Sequence, residues 1–383
     1  MTTFFSFDEL TWPEVNALPR TTPLVIPLGS GYPMNRLAEA LGNPPQAGIL
    51  PRIPFGWIGS GLSVPSQVLA RMVGNLLDSL RDDGFTQVFA VCPQGLDLGL
   101  LQPWLALPVS PDCTPQASQQ LPTIDQIGKV IILPIGQTEQ HGFHLPLSTD
   151  TIIIEAVAQG VATAVPDQAF SLPVMPYGVS THRQAFAGTL NCGGRAFEDF
   201  WLAVIDSLTQ RGFDRFYLMS GHGGNSSFLV NVVKYAGEQY RRIFCATAWL
   251  YLSGQDGVAA LEKYRRSPIG GMGHACELET SFILHLHPEL VHMERVVDET
   301  DFVSTPNYYM DWVEGGSLIA NPSWDDDTRT GAYGAGSLAT AEHGQFWLEA
   351  AVNEKITHIA EIHTQHTRRE ARRQSGYGRW GKI

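Results

Sequence analysis

An α/β fold with a largely parallel central sheet is the architecture this sequence predicts. Two observations carry the expectation. Short apolar runs that read as buried strands alternate with longer stretches of helical period. The glycine-rich turns that bear ionisable side chains follow those strands, at the sheet edge where open α/β folds bind ligands.

In chain order, strands are expected at residues 24–28, 88–91, 129–135, 216–219 and 244–250. Helices are expected at 66–81, 151–165, 197–210 and 226–241, where apolar residues recur every three or four positions. The polar, proline-containing stretch 112–126 reads as a linker or long loop and divides the chain into residues 1–118 and 119–383.

With 383 residues the chain suits two domains or one large body with an appendage, and 44% hydrophobic content supplies a core. The 25 Lys and Arg against 38 Asp and Glu give a net charge of −13, which repels a phosphate backbone and argues against nucleic acid as a partner. No apolar run is long enough to cross a membrane. The opening MTTFFSFDELTWPEV lacks the basic and apolar regions of a signal peptide. Five scattered cysteines without a CxxC pair suit a reducing compartment, so a cytoplasmic location is expected.

An internal repeat is visible. VIPLG at 25–29 echoes ILPIG at 132–136, ILPRIPFGW at 49–57 echoes SLPVMPYGV at 171–179, and LLDSLRDDGFTQVFAVCPQG at 76–95 echoes VIDSLTQRGFDRFYLMSGHG at 204–223. The matches keep their order, which favours duplication. In that register Tyr32 and Met34 stand where Glu139 and His141 stand in the second copy, and Gln94 stands where His222 stands. The first copy therefore reads as having lost its chemistry.

Three segments carry the ionisable chemistry, and all 12 histidines lie beyond residue 140. The first, ILPIGQTEQHGFHLPLSTD, offers Glu139, His141, His144 and Asp150 just past a buried strand, a donor set suited to Zn, Mn or Fe. The second, LMSGHGGN, holds His222 in a glycine-rich turn between a strand and a helix; it lacks the lysine of a phosphate-binding loop. The third is GHACELETSFILHL. At 100° per residue, a helix through this segment puts His274, Glu277 and Ser281 on one face, with Glu279 among apolar residues. Glu277 thus reads as a ligand beside His274, and Glu279 as a structural carboxylate. His182, after another strand end, reads as a substrate contact, and Trp249 as a pocket or core residue.

Together these segments resemble the creatininase family of metal-dependent amidohydrolases. The family patterns LPxGxxEQHGxHLPxxTD, GHGGN and HAGExETS are matched here by LPIGQTEQHGFHLPLSTD, SGHGGN and HACELETS. The resemblance covers residues 127–356 and implies a three-layer α/β/α fold with two divalent ions. Residues 1–118 would then be a shortened, degenerate, metal-less copy of that fold, preceding the catalytic domain at 119–383. By carry-over, Glu139, Asp150 and His222 hold one ion; His141, the bridging Asp150 and a further glutamate hold the other. Creatininase itself supplies that glutamate at the position of Gly224, so the arrangement cannot be copied whole. Glu277 occupies the place of a glutamate in many relatives, and is expected as the fifth ligand. Cys276, in place of a usual glycine, is expected to narrow the pocket, which His144, His182 and Trp249 would also line.

The implied reaction is hydrolysis of a non-peptide C–N bond, in a cyclic amide or formamide, of a small molecule. A water shared by the two cations would attack the carbonyl carbon, and His274, assisted by Glu277, would protonate the leaving nitrogen. A formylaminopyrimidine hydrolase, a peptidase acting on a peptide-derived cofactor, and a non-catalytic binding protein are the alternatives. The resemblance also implies a homo-oligomer in which neighbouring subunits help close the pocket; the degenerate copy is expected to take the place of such a neighbour within one chain.

Overall fold

The computed structural model describes residues 1–96, 104–107, 121–182, 185–312 and 315–376. Most of the expected linker, and the end of the basic C-terminal tail, lie outside them.

The N-terminal half comprises β1 (Thr3–Ser6), α1 (Trp12–Ala17), β2 (Leu24–Pro27), α2 (Met34–Ala40), β3 (Gln46–Ile49), α3 (Ser66–Asp82), β4 (Val88–Pro93) and β5 (Trp104–Leu107). Its sheet runs β1-β3-β2-β4-β5, with every pairing parallel. The second half holds β6 (Val130–Ile135), α4 (Thr149–Ala164), β7 (Ala169–Ser171), α5 (Gly194–Gln210), β8 (Arg215–Ser220), α6 (Ser226–Gln239), β9 (Phe244–Thr247), α7 (Gln255–Tyr264), β10 (Met272–His274), α8 (Glu277–Leu286), β11 (Tyr333–Gly334) and α9 (Ala341–Gln374). Its main sheet, β7-β6-β8-β9, is also parallel, while β10 and β11 form a small antiparallel pair. With β1 set aside, the order β3-β2-β4-β5 follows the order β7-β6-β8-β9 strand for strand.

Alternation along the central strands sorts side chains into two cores. Ile131, Leu133, Ile135, Phe216 and Leu218 face α5 and α6, whereas Val130, Ile132, Tyr217 and Met219 face α4, α8 and α9. This is the expected α/β/α layering. The first core does not stop at α5. It continues through α3 into Leu24, Ile26, Leu28 and Ala90 of the N-terminal sheet, so one apolar cluster spans both halves. Buried residues at three- and four-residue spacing on α3 (Leu69, Met72, Val73, Leu76, Leu80) and α5 (Phe197, Phe200, Trp201, Val204, Leu208) make this possible.

β9 ends at Thr247, not at 250, because Leu250 and Leu252 take φ values of 44° and 70° that no strand allows. Among the described residues no helix is long and apolar enough to cross a membrane.

Candidate metal centre

β6 ends in a loop that side chains pin from several directions. Gln137 donates to the carbonyl of Leu190 at 2.6 Å and accepts from the N–H of Gly178 at 2.7 Å; Thr138 donates to the carbonyl of Pro176. The next residues, Glu139 and His141, are thereby fixed beyond the carboxyl end of the strand. Asp150 stands in the first turn of α4. Gly221, at the end of β8, lets that turn come close: a Cβ there would lie 2.3 Å from the carbonyl oxygen of Asp150. His222 follows. Gly224 has no room for a side chain, since its Cβ would lie 2.4 Å from both His222 Nε2 and the carbonyl oxygen of Val179. A glutamate at this position therefore does not fit the observed His222 ring.

Six buried side chains converge here. Glu139, Asp150 and His222 offer ligand atoms within 4.8 Å of one another, as do His141, Asp150 and Glu279, and also Glu139, His141 and His274. Asp150 belongs to two of these triads. The imidazoles are all oriented in the same manner. His222 Nε2 meets the carbonyl of Val179 at 3.1 Å, leaving Nδ1 toward Glu139 (3.1 Å) and Asp150 (3.2 Å). His141 Nδ1 meets the carbonyl of Glu139 at 3.0 Å, leaving Nε2 toward Asp150 (3.2 Å) and Glu279 (3.9 Å). His274 Nε2 meets the carbonyl of Gln140 at 2.7 Å, leaving Nδ1 at 3.9 Å from both Glu139 and Glu279. A backbone carbonyl can only accept, so one nitrogen of each ring donates outward. The other can then present a lone pair to the cluster, which is how metal-binding imidazoles are held.

Burial alone would push the Asp150 carboxyl up, but the adjoining imidazoles of His141 and His222 outweigh it and hold its pKa below the usual value. Burial likewise opposes a charged His141, yet the carboxylates of Asp150 and Glu279 raise its pKa. Three carboxylates with three imidazoles form a donor set that fits a divalent metal such as Zn, Mn or Fe.

The sequence expectations meet this geometry unevenly. Glu139, His141, Asp150, His222 and His274 come together as expected. Glu277 does not join them. Its carboxylate accepts from the backbone N–H of Arg266 at 2.9 Å and of Ser267 at 2.8 Å, away from the cluster. The physical reason is where the helix begins. His274 ends β10, Ala275 takes φ 49°, and α8 starts only at Glu277. The 100° rule cannot be carried across that elbow, and Glu279 takes the inward place. Its Oε2 also accepts from the N–H of Ala275 at 2.5 Å.

His182 stacks 6.4 Å from His222 and lies 5.1 Å from Trp324. Burial first, and then His222, push its pKa down to about 3, which keeps the ring neutral. Trp324, also 5.1 Å from His274, was not singled out by the sequence; a lone tryptophan beside the acidic run 325–327 was its only signal. Of the other three expected pocket residues, His144 and Cys276 are buried and Trp249 lies beside the turn that carries His222. His144 bonds Thr280 at 2.9 Å, and burial pushes its pKa down to about 4. Cys276 is fully buried in the second core, where burial raises its thiol pKa. Trp249 is half exposed, and a Cβ on Gly223 would lie 3.4 Å from its ring.

A parallel sheet with a carboxylate–imidazole cluster beyond its strand ends defines an α/β protein with a candidate metal centre. The chain belongs to the creatininase family, described as creatinine amidohydrolase, which it matches over residues 116–359. It is thus a creatininase-family hydrolase. It is 34% identical over 198 residues to a mycofactocin precursor peptide peptidase of Mycobacterium ulcerans, covering 50% of this chain and 70% of the relative. It is 30% identical over 182 residues to the creatinine amidohydrolase of Pseudomonas putida, covering 44% of this chain and 68% of the relative. Among solved structures, a manganese creatininase aligns with a TM-score of 0.51 and 26% identity, over 61% of this chain and 91% of its own. A mutant creatininase of Zn-Zn type aligns equally well, at a TM-score of 0.51 and 25% identity, over 61% of this chain and 90% of its own.

Proposed function

We propose that the protein hydrolyses an amide-type C–N bond of a small molecule, in a cyclic amide or a formamide, at a binuclear divalent-metal site. The observation that carries this reading is the pair of triads joined by Asp150, with each imidazole turned by a backbone carbonyl to face the cluster. Glu139, Asp150 and His222 would hold one ion, and His141, Asp150 and Glu279 the other. Such ions supply Lewis acidity toward a carbonyl and make water a competent nucleophile near neutral pH. His274 is left to handle the proton of the leaving nitrogen, through the Nδ1 that faces the cluster. His182 and Trp324, beside His222 and His274, would hold the body of the substrate.

A second reading is supported by the relatives named mycofactocin precursor peptide peptidase, one of which the chain covers over 92% of its length at 29% identity. There the scissile bond would be a peptide bond of a short precursor.

The N-terminal half fits the same proposal as a degenerate copy. Its strand order repeats that of the second sheet. Tyr32, in the register of Glu139, fills the strand end by donating to the carbonyl of Leu28 at 2.5 Å.

Elemental analysis of freshly purified protein tests the metal reading. About two equivalents of transition metal are expected, with loss of both in Asp150→Ala, because that carboxylate serves both triads. No metal after incubation with Zn or Mn salts would overturn it. A screen of cyclic amides, formamides and short peptides on the metal-loaded protein then separates the two substrate readings.

A further inference from the structure

None of the six clustered carboxylates and imidazoles comes from the N-terminal half, yet that half reaches the loops that hold them. The backbone N–H of Leu147 donates to the carbonyl of Leu10, and that of Ser148 to the carbonyl of Asp8, both at 3.0 Å. These contacts fall just before Asp150. α1 begins beside them, its start closed by Thr11 donating to Glu14 at 2.9 Å, and Glu14 in turn accepts from Arg295.

Trp12, the first residue of α1, touches three separate loops. Its ring packs 5.4 Å from Phe143, between His141 and Asp150 in the first loop. It meets Phe186 edge-on at 5.3 Å, in the loop that carries His182. Its indole N–H donates to the carbonyl of Thr330 at 2.7 Å, in the segment that carries Trp324. Phe186 packs in turn with Trp324 and Tyr333. The loops bearing His182 and Trp324 have little regular structure of their own, so such contacts decide how they stand over the cluster.

We propose that Trp12 is a positioning residue: it holds the His182 and Trp324 loops against the first loop, so that the N-terminal half, within the same chain, shapes the substrate wall. This deepens the hydrolase reading and rests on it for the identity of the cluster.

Hydrogen exchange on the full chain tests the idea with Trp12→Ala and Trp12→Phe. In Trp12→Ala, amides of 185–190 and 324–332 should exchange about 10-fold faster or more, with β2 and β4 unchanged. Trp12→Phe keeps the ring contacts but lacks the N–H. It should restore 185–190 and leave 324–332 fast. Calorimetric titration with Mn²⁺ alone should give the wild-type stoichiometry in both variants. With a substrate from the screen, Trp12→Ala should raise KM about 10-fold and change kcat much less. Unchanged protection in both loops, or faster exchange spread evenly over the N-terminal strands, would overturn the proposal. Should Trp12→Ala fail to fold, the contrast between the two loops in Trp12→Phe decides alone. If the wild type binds no metal, the hydrolase reading fails, while the exchange data still settle the role of Trp12.

Discussion

Removing the carboxylate of Glu279 and removing that of Glu277 are expected to have different consequences. Glu279 faces His141 and His274, so Glu279→Gln should cost about one of two metal equivalents by elemental analysis and leave the fold intact. Glu277→Ala should keep both ions and lower the melting temperature. It strands the N–H of Ser267 in a buried place, at about 1–3 kcal/mol, and removes the partner of the less buried N–H of Arg266. Equal metal loss in the two variants would contradict this division. The pair also marks the limit of legibility at this scale. Glu139, His141, Asp150 and His222 were readable because each lies at a strand end or in the first turn of a helix, where spacing translates directly into position. Glu279 was not, because the positive φ of Ala275 breaks the helical phase on which the choice of Glu277 rested. No residue type in HACELET announces such an elbow.

At the scale of elements, α3 is the clearest example of local pattern and tertiary contact agreeing. Its apolar stripe was legible at 66–81, and the helix runs Ser66–Asp82. Polar side chains of the helix and of its C-terminal cap then read the chain that follows His182: Asn75 donates to the carbonyl of Cys192 at 2.5 Å, Ser79 accepts from Asn191 at 3.1 Å, and Asp83, the capping residue, accepts from Gly188 at 2.8 Å. Burial pushes the Asp83 carboxyl up to about 6, more than Gly188 and Arg20 pull it down. The folded value lies above the unfolded one. The contribution of this group is therefore complete below about pH 4 and lost as pH rises through about 6. Asp83→Asn removes the titration and can still accept from Gly188. Its melting temperature should exceed that of the wild type by about 2 °C or more at pH 8, and the difference should shrink to nothing near pH 4; thermal melts across that range check both ends. α9 shows the opposite case. Its 34 residues carry little helical signal in the sequence, because the buried positions, among them Trp347, Ala351, Ile359 and Ile362, are diluted by charged and polar residues on the remaining faces. Only packing against α4, α7 and α8 makes that thin stripe decisive.

For the molecule as a whole, the strand order of the N-terminal sheet, β1 aside, matches that of the second sheet, but the sequence repeat does not say how the two halves meet. That depended on large aromatic residues whose partners lie far along the chain. Phe55, from the N-terminal half, stacks 6.2 Å from Phe200 at an angle of 17° and meets Trp201 edge-on at 6.2 Å. All three are fully or almost fully buried, and they belong to the cluster that runs from the N-terminal sheet through α3 and α5 to β6 and β8. Separating the halves would expose this face to water, at about 25 cal/mol for each Å² of apolar surface. Neither half can therefore melt while the other keeps its core. A single calorimetric transition is expected, with calorimetric and van't Hoff enthalpies equal. Phe55→Ala should cost about 3–5 kcal/mol and move that one transition down as a unit. Two resolved transitions, with only the earlier one shifted by the substitution, would mean that the halves are independent domains. The role given to Trp12 would then require a coupling that the shared core does not provide.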